Sequence, residues 1–246
     1  MSTAASTLVR RSPAHEARVV GVRDLTPRMR RVTIRADAML GVQIKPAQDV
    51  ELLLREPSGR RVKRRYTIRH VRPDTGELDL DVVLHGDGPG ARWAAAAQIG
   101  DDVEFQGPRG KLELRSAAAH MLVGDESALP AIAAICAALP PGEPATALIE
   151  ITDASDELPV AAAVRWVHRG EAAAGGADLL LDAARDVLAS SEADPAAARG
   201  YLMGETRAMV ALRALLENHG VPHESIFVKG YWNLGRPDRL AGRAPT

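Results

Sequence analysis

The chain has little of several things that usually announce a function. One cysteine, Cys136, stands in 246 residues. A lone thiol excludes an intrachain disulfide, a Cys-ligated zinc site and a Cys-ligated iron–sulfur cluster within one chain. Such an interior suits a reducing compartment, and the cytoplasm is the expected location. The formal net charge is −1, from 31 Lys and Arg against 32 Asp and Glu. No long-range field therefore marks a nucleic-acid or anionic-membrane partner. No apolar run reaches the ~20 residues of a membrane-spanning helix. Arg10-Arg11 is not followed by an apolar stretch, so it does not read as a twin-arginine signal. Residues 1–14 read instead as a flexible leader rich in Ser and Ala. Aromatic residues are scarce, with 3 Trp, 3 Tyr and 2 Phe, so a tyrosine set among arginines needs a reason.

What is present divides at about residue 117. Before it, the stretches 17–25, 29–36, 48–56, 62–70, 77–85 and 101–108 alternate with a period of two or are rich in β-branched residues. Thr26-Pro27, Pro57-Ser58-Gly59 and Pro73-Asp74-Thr75-Gly76 punctuate them as turns. Six short strands predict an antiparallel barrel, interrupted by one helix over 89–99, with Pro89 in its first turn and Gly100 at its end. After residue 117, strands at 119–126 (ending in a polar turn), 146–152, 162–169, 198–205 and 225–232 alternate with helices at 127–139, 177–190 and 206–220. That rhythm predicts a mostly parallel sheet with helices on both faces. The expected domains are 15–116 and 117–246. Cys136, on the apolar helix after residue 127, reads as a small core residue.

The stretch RRYTIRH, Arg64 to His70, places Arg64, Tyr66 and Ile68 on one strand face and Arg65, Thr67 and Arg69 on the other. A flat ring, a hydroxyl and guanidinium groups suit a heteroaromatic ligand with a phosphate tail, such as a flavin. An exposed barrel strand with solvated arginines would look the same. LHGDGPGARWA (84–94) follows one strand later. Its glycines allow close backbone approach, and the start of its helix offers N–H groups to an anion. In the second half, GDES (124–127) and MGET (203–206) each join a strand end to a helix, where a nucleotide meets an α/β sheet. Neither is the G-x-G-x-x-G dinucleotide fingerprint, since acidic residues stand where glycines would.

In this order RRYTIR, HGDGPGARWA, GDESALPAI, MGET and KGYW resemble the siderophore-interacting protein family over residues 15–236. That family comprises FAD-dependent ferric-siderophore reductases of the ferredoxin–NADP reductase superfamily. The resemblance implies that Arg64 contacts the flavin phosphate, Tyr66 stacks on the isoalloxazine and Thr67 hydrogen-bonds near N5. Tyr66 and Thr67 thereby become the residues nearest the chemistry. His85, Gly88, Pro89, Gly90 and Ala91 would line the ribityl chain and pyrophosphate. The family usually has Ala-Ser where Gly90-Ala91 stands, so one hydroxyl contact is missing. Trp93 lies near the cofactor or packs the barrel mouth. Asp125, Glu126, Ser127, Gly204 and Glu205 would dock NADH or NADPH, with acidic residues leaning towards NADH. Lys63, Arg65, Lys229 and Arg236 would meet an anionic ferric siderophore, and Asn233 stands where the family often has arginine.

The implied reaction passes electrons from NAD(P)H through FAD to Fe(III), which frees Fe(II) from its chelator. No resident metal, nucleic acid or membrane is expected, and the protein is expected to be a monomer; a ferredoxin is an alternative donor. Because the flavin supplies the chemistry, His15, His120 and Glu150 need no catalytic role. Two other functions fit the residues. One is a flavin reductase of the same superfamily acting on free flavin, a quinone or a protein carrier. The other is a non-catalytic siderophore-binding or utilisation protein.

Overall fold

The computed structural model describes residues 13–56 and 58–235. Most of the leader, Pro57 of the expected turn and the candidate Arg236 lie outside the described residues. Six antiparallel strands close a barrel in the order β1-β2-β5-β4-β3-β6. They are β1 (His15–Thr26), β2 (Met29–Arg35), β3 (Asp49–Arg55), β4 (Arg61–Arg72), β5 (Glu77–Val83) and β6 (Asp102–Arg109). Alternate residues point inwards: Val32 and Ile34 from β2, Val50, Leu52 and Leu54 from β3, Leu78 and Leu80 from β5 and Phe105 from β6 fill the interior. Pairing of β1 with β6 closes the ring, so each of the six barrel strands has a partner on both sides. Helix α1 (Pro89–Ala96) lies between β5 and β6 and is three residues shorter than the predicted 89–99. Its last stretch is not helical because Ala97 leaves helical backbone (ψ 133).

The second unit is a five-stranded sheet in the order β11-β10-β7-β8-β9. Its strands are β7 (Ala119–Asp125), β8 (Ala145–Ile151), β9 (Ala163–His168), β10 (Ala198–Glu205) and β11 (Ile226–Trp232). Every neighbouring pair is parallel, so the sheet is parallel throughout rather than mostly so. Helix α2 (Leu129–Cys136) covers one face, while α3 (Asp178–Ser190) and α4 (Thr206–Asn218) cover the other. Helix α2 is shorter than the predicted 127–139. Ser127 is held in a turn by Asp125, and the run Leu139-Pro140-Pro141 ends the apolar face. Cys136 is buried in that face, and burial pushes its thiol up to about 11, far from the thiolate a nucleophile needs.

The two units touch along a continuous seam. Helix α2 packs against β4. Arg28, ahead of β2, reaches Asp156 at 2.7 Å and Asp153 at 3.1 Å. Lys229 on β11 reaches Asp49 on β3 at 2.7 Å. Among the described residues no helix is long and apolar enough to cross a membrane.

Candidate functional site

The side chains of β4 divide as a strand requires. Ile68 is fully buried in the barrel core, and Tyr66, on the same face, packs against its rim. The Tyr66 ring lies 6.3 Å from that of Trp93 on α1, tilted by 32°. Burial, against a weaker pull from Arg64, drives the Tyr66 phenol well above its ordinary value, so it stays protonated and neutral. Helix α1 starts after Gly88 with Pro89 in its first turn and no side chain capping it. Gly90 is buried, and a Cβ there would strike the Tyr66 hydroxyl, lie 3.0 Å from its Cζ and 3.5 Å from Arg64 Cγ. Arg64, Tyr66 and the first turn of α1 therefore form one cradle, in which the Tyr66 hydroxyl takes the space that residue 90 leaves by having no side chain. The Arg64 guanidinium is turned back to donate to the Lys63 carbonyl at 2.9 Å. His85, Gly86, Asp87 and Gly88 lead into the cradle from solvent, and Ala91 is half-buried within it.

The cradle fits FAD on chemical grounds. It combines an aromatic plane, a guanidinium and an uncapped helix start whose N–H groups favour an anion. Gly90-Ala91 brings no hydroxyl to the helix start, but the space at Gly90 admits the Tyr66 hydroxyl instead.

The opposite face of β4 carries the cations. Lys63 Nζ lies 2.7 Å from Glu51, and Arg65 and Arg109 each lie 3.5 Å from the same carboxylate. Glu51 is only 3% exposed. Burial works to raise its carboxyl, but Lys63, Arg109 and Arg65 outweigh burial and hold it below the usual glutamate range. Two positions earlier on β3, Asp49 holds Lys229, and the Lys229 ammonium lies 5.1 Å from the Tyr231 ring centre. Beside them, Thr67 Oγ1 meets Tyr231 Oη at 3.2 Å across the seam between the units. Four cations are thus held over two buried carboxylates, leaving a net positive surface that both units share. Lys63, Arg65 and Lys229, singled out from the sequence, belong to it. Arg109, Glu51, Asp49 and Tyr231 were not legible there, because they join the group through the pairing of β3 with β4 and β6 and the docking of β11. An acidic pair two residues apart on an otherwise apolar strand (DVELLL) is the one sequence signal that hints at them.

At the C-terminal edge of the sheet, Asp125, Glu126, Ser127, Gly204 and Glu205 are brought together. Asp125 accepts from the N–H of Ser127 (2.9 Å), the N–H of Glu205 (3.0 Å) and the indole of Trp232 (2.8 Å), besides the Ser127 hydroxyl. Burial first, then Glu126, push its carboxyl up, against the pull of those donors. Gly204 has φ +147, and a Cβ on it would come 2.6 Å from Asp125 Oδ2, so this turn requires glycine. Glu205 caps α4 through the N–H groups of Arg207 and Ala208 and accepts from the Leu234 N–H at 3.1 Å. Glu126 forms a two-point pair with Arg169 at 2.6 and 2.8 Å. All three carboxylates are therefore engaged by the protein's own donors.

Glu150 lies 3.7 Å from Arg169 behind this edge and is 2% exposed. Burial raises its carboxyl from 4.5 to about 7; Arg169 works against burial, and Asp125 and Glu126 add to it. A raised carboxyl favours the protonated fold, so this contribution to stability is complete below pH ~4.5 and is lost as pH rises through ~7. Glu150→Gln is accordingly expected to match the wild type at pH 4. At pH 8 it should be more stable by up to roughly 3 kcal/mol, as measured by urea unfolding. A gap of equal size at both pH values would refute the assignment.

Two family models match the chain: Siderophore-interacting FAD-binding domain over residues 43–112, and Siderophore-interacting protein over residues 117–235. Ferric vibriobactin reductase ViuB of Vibrio cholerae is 32% identical over 187 residues, 73% of this chain and 68% of that protein. An uncharacterized protein of Mycobacterium tuberculosis is 38% identical over 193 residues, 72% of this chain and 67% of its own length. The crystal structure of a siderophore utilization protein from T. fusca superposes with a TM-score of 0.81 at 34% identity, covering 91% of this chain and 94% of that one. The barrel followed by a parallel α/β sheet is also the fold of ferredoxin reductases. With one family model matched over each unit, the chain belongs to the siderophore-interacting protein family.

Proposed function

We propose that the protein is a flavin-dependent reductase of ferric siderophores, taking electrons from a reduced nicotinamide and releasing Fe(II). The observation that carries this reading is the juxtaposition of the cradle with the cations held on Glu51 and Asp49. Arg64 and Tyr66 of the cradle alternate along β4 with Lys63 and Arg65 of the cationic group, which Lys229 joins from β11. FAD, when bound, supplies the step from a two-electron donor to a one-electron acceptor. The residues do the rest. Arg64 and the first turn of α1 hold phosphate, Tyr66 supports the ring and Thr67 presents a hydroxyl to it. Lys63, Arg65, Arg109 and Lys229 hold an anionic ferric chelate by charge. Arg236 joins them in this reading. Fe(III) is substrate here, and ferrous iron leaves because hard anionic oxygen ligands hold the lower charge less tightly.

A reduced nicotinamide docks at the edge made by Asp125 to Ser127 and Gly204-Glu205. Since those carboxylates already accept the protein's own hydrogen bonds, they give no preference between the 2′-hydroxyl of NADH and the 2′-phosphate of NADPH. The test is anaerobic stopped-flow reoxidation of the reduced FAD-loaded protein against a panel of ferric siderophores, with a chelator trapping Fe(II). Separate arms supply NADH, NADPH or a reduced ferredoxin as donor. Chelate-dependent reoxidation with Fe(II) formed in proportion is expected. Flavin that binds but reoxidises no faster with any chelate would leave a siderophore-binding protein without turnover.

The two faces of β4 separate by substitution. Arg64→Ala should weaken FAD binding roughly ten- to a hundredfold, the range of a lost charge-assisted hydrogen bond. Arg65→Ala should retain FAD and raise KM for an anionic chelate, most strongly at low salt. Equal loss of flavin from both variants would overturn the division.

A further inference from the structure

The hydroxyl contact between Thr67 and Tyr231 has no fixed polarity. Either oxygen can donate across the 3.2 Å between them. Tyr231 also has a second acceptor, Met203 Sδ, at 3.7 Å. Each hydroxyl carries one proton, so two arrangements satisfy both. In one, Tyr231 donates to Thr67 and the Thr67 proton points away from Tyr231. In the other, Tyr231 donates to Met203 and Thr67 donates to Tyr231, so the Thr67 lone pairs point away from Tyr231. Burial, with Lys229 pulling weakly the other way, pushes the Tyr231 phenol above its ordinary value, which keeps its proton in place.

The surroundings hold the three groups in position. Met203 is fully buried on β10, and β11 runs parallel beside it with Lys229 opposite Met203. Thr67 is fixed by pairing with Asp49, whose carboxylate clamps Lys229 against the Tyr231 ring. Asp49 and Lys229 thus meet across the seam, one residue pair beside Thr67 and Tyr231. A thioether is a weak acceptor, so neither arrangement is strongly preferred and hydroxyl rotation suffices to exchange them.

This inference rests on the flavin reading above, in which Thr67 lies beside a ring nitrogen. Such a nitrogen accepts a hydrogen bond when oxidised and carries a proton when reduced. A neighbour of fixed polarity would serve only one of those states. We propose that Tyr231 and Met203 form a reversible hydrogen-bond unit that lets Thr67 donate to the oxidised ring and accept from the reduced one. Tyr231 and Met203 are positioning residues acting through Thr67, and no atom is transferred between them.

Met203→Leu keeps the volume but removes the sulfur, so Tyr231 can donate only to Thr67. Thr67 is then held as a donor, which favours the oxidised ring. The ratio of dissociation constants for reduced and oxidised FAD is expected to rise about fivefold. For a two-electron couple that lowers the midpoint potential by about 20 mV. Tyr231→Phe should lower it similarly, and in that background Met203→Leu should have no further effect. The readouts are FAD binding in both redox states and spectroelectrochemical titration of the loaded protein. An unchanged midpoint in Met203→Leu, or an additive shift in the double variant, overturns the unit while leaving FAD binding intact. A wild-type chain that binds no FAD overturns the flavin reading as well.

Discussion

Gly90→Ala is expected to cost the ligand-free protein about 1–3 kcal/mol, the usual range for overpacking a filled site, and to weaken FAD binding at least roughly tenfold. The added methyl occupies the position of the Tyr66 hydroxyl. The ring must leave the first turn of α1, and the cradle opens. Tyr66→Phe removes the colliding oxygen, so the nearest ring atom is then Cζ at 3.0 Å, a contact that a small shift relieves. Most of the Gly90→Ala penalty should disappear in the double variant, with a coupling of at least about 1 kcal/mol. Urea unfolding and FAD titration of the four proteins measure it. Additive effects would mean that the ring and the helix start do not act as one cradle.

Asp125→Ala should lower stability by roughly 3 kcal/mol or more, since the N–H groups of Ser127 and Glu205 and the indole of Trp232 lose their acceptor. The loss should appear with no nucleotide present, because the carboxylate ties together the ends of β7, β10 and β11. Ser127→Ala, which leaves the Asp125 acceptor in place, should cost far less. A variant of wild-type stability whose only defect is a raised KM for the nicotinamide would instead make Asp125 a substrate contact.

These two cases show where the sequence could be read. The six strands of the barrel follow from two-residue alternation and turn residues, and the layered second half follows from strand–helix rhythm. Both signals are local, so both survive without coordinates. RRYTIR and HGDGPGARWA also name their residues, because strand alternation separates the faces of β4 and a glycine-rich turn marks a helix start. The same local signals cannot say what an acidic residue does. Asp125, Glu126 and Glu205 look like free ribose acceptors in a string of letters. In three dimensions they accept from an indole, a guanidinium and the start of α4.

The sequence by itself determined the fold class and excluded an intrachain disulfide, because periodicity, turn chemistry and composition act over a few residues. Tertiary structure alone decided the cationic face and the Thr67–Tyr231–Met203 contact. Lys63, Arg65, Arg109 and Lys229 come from three strands, and what gathers them is the register that puts Asp49 and Glu51 beneath them. Register is a property of pairing between distant segments: a slip of one residue would turn both carboxylates to the other face of β3.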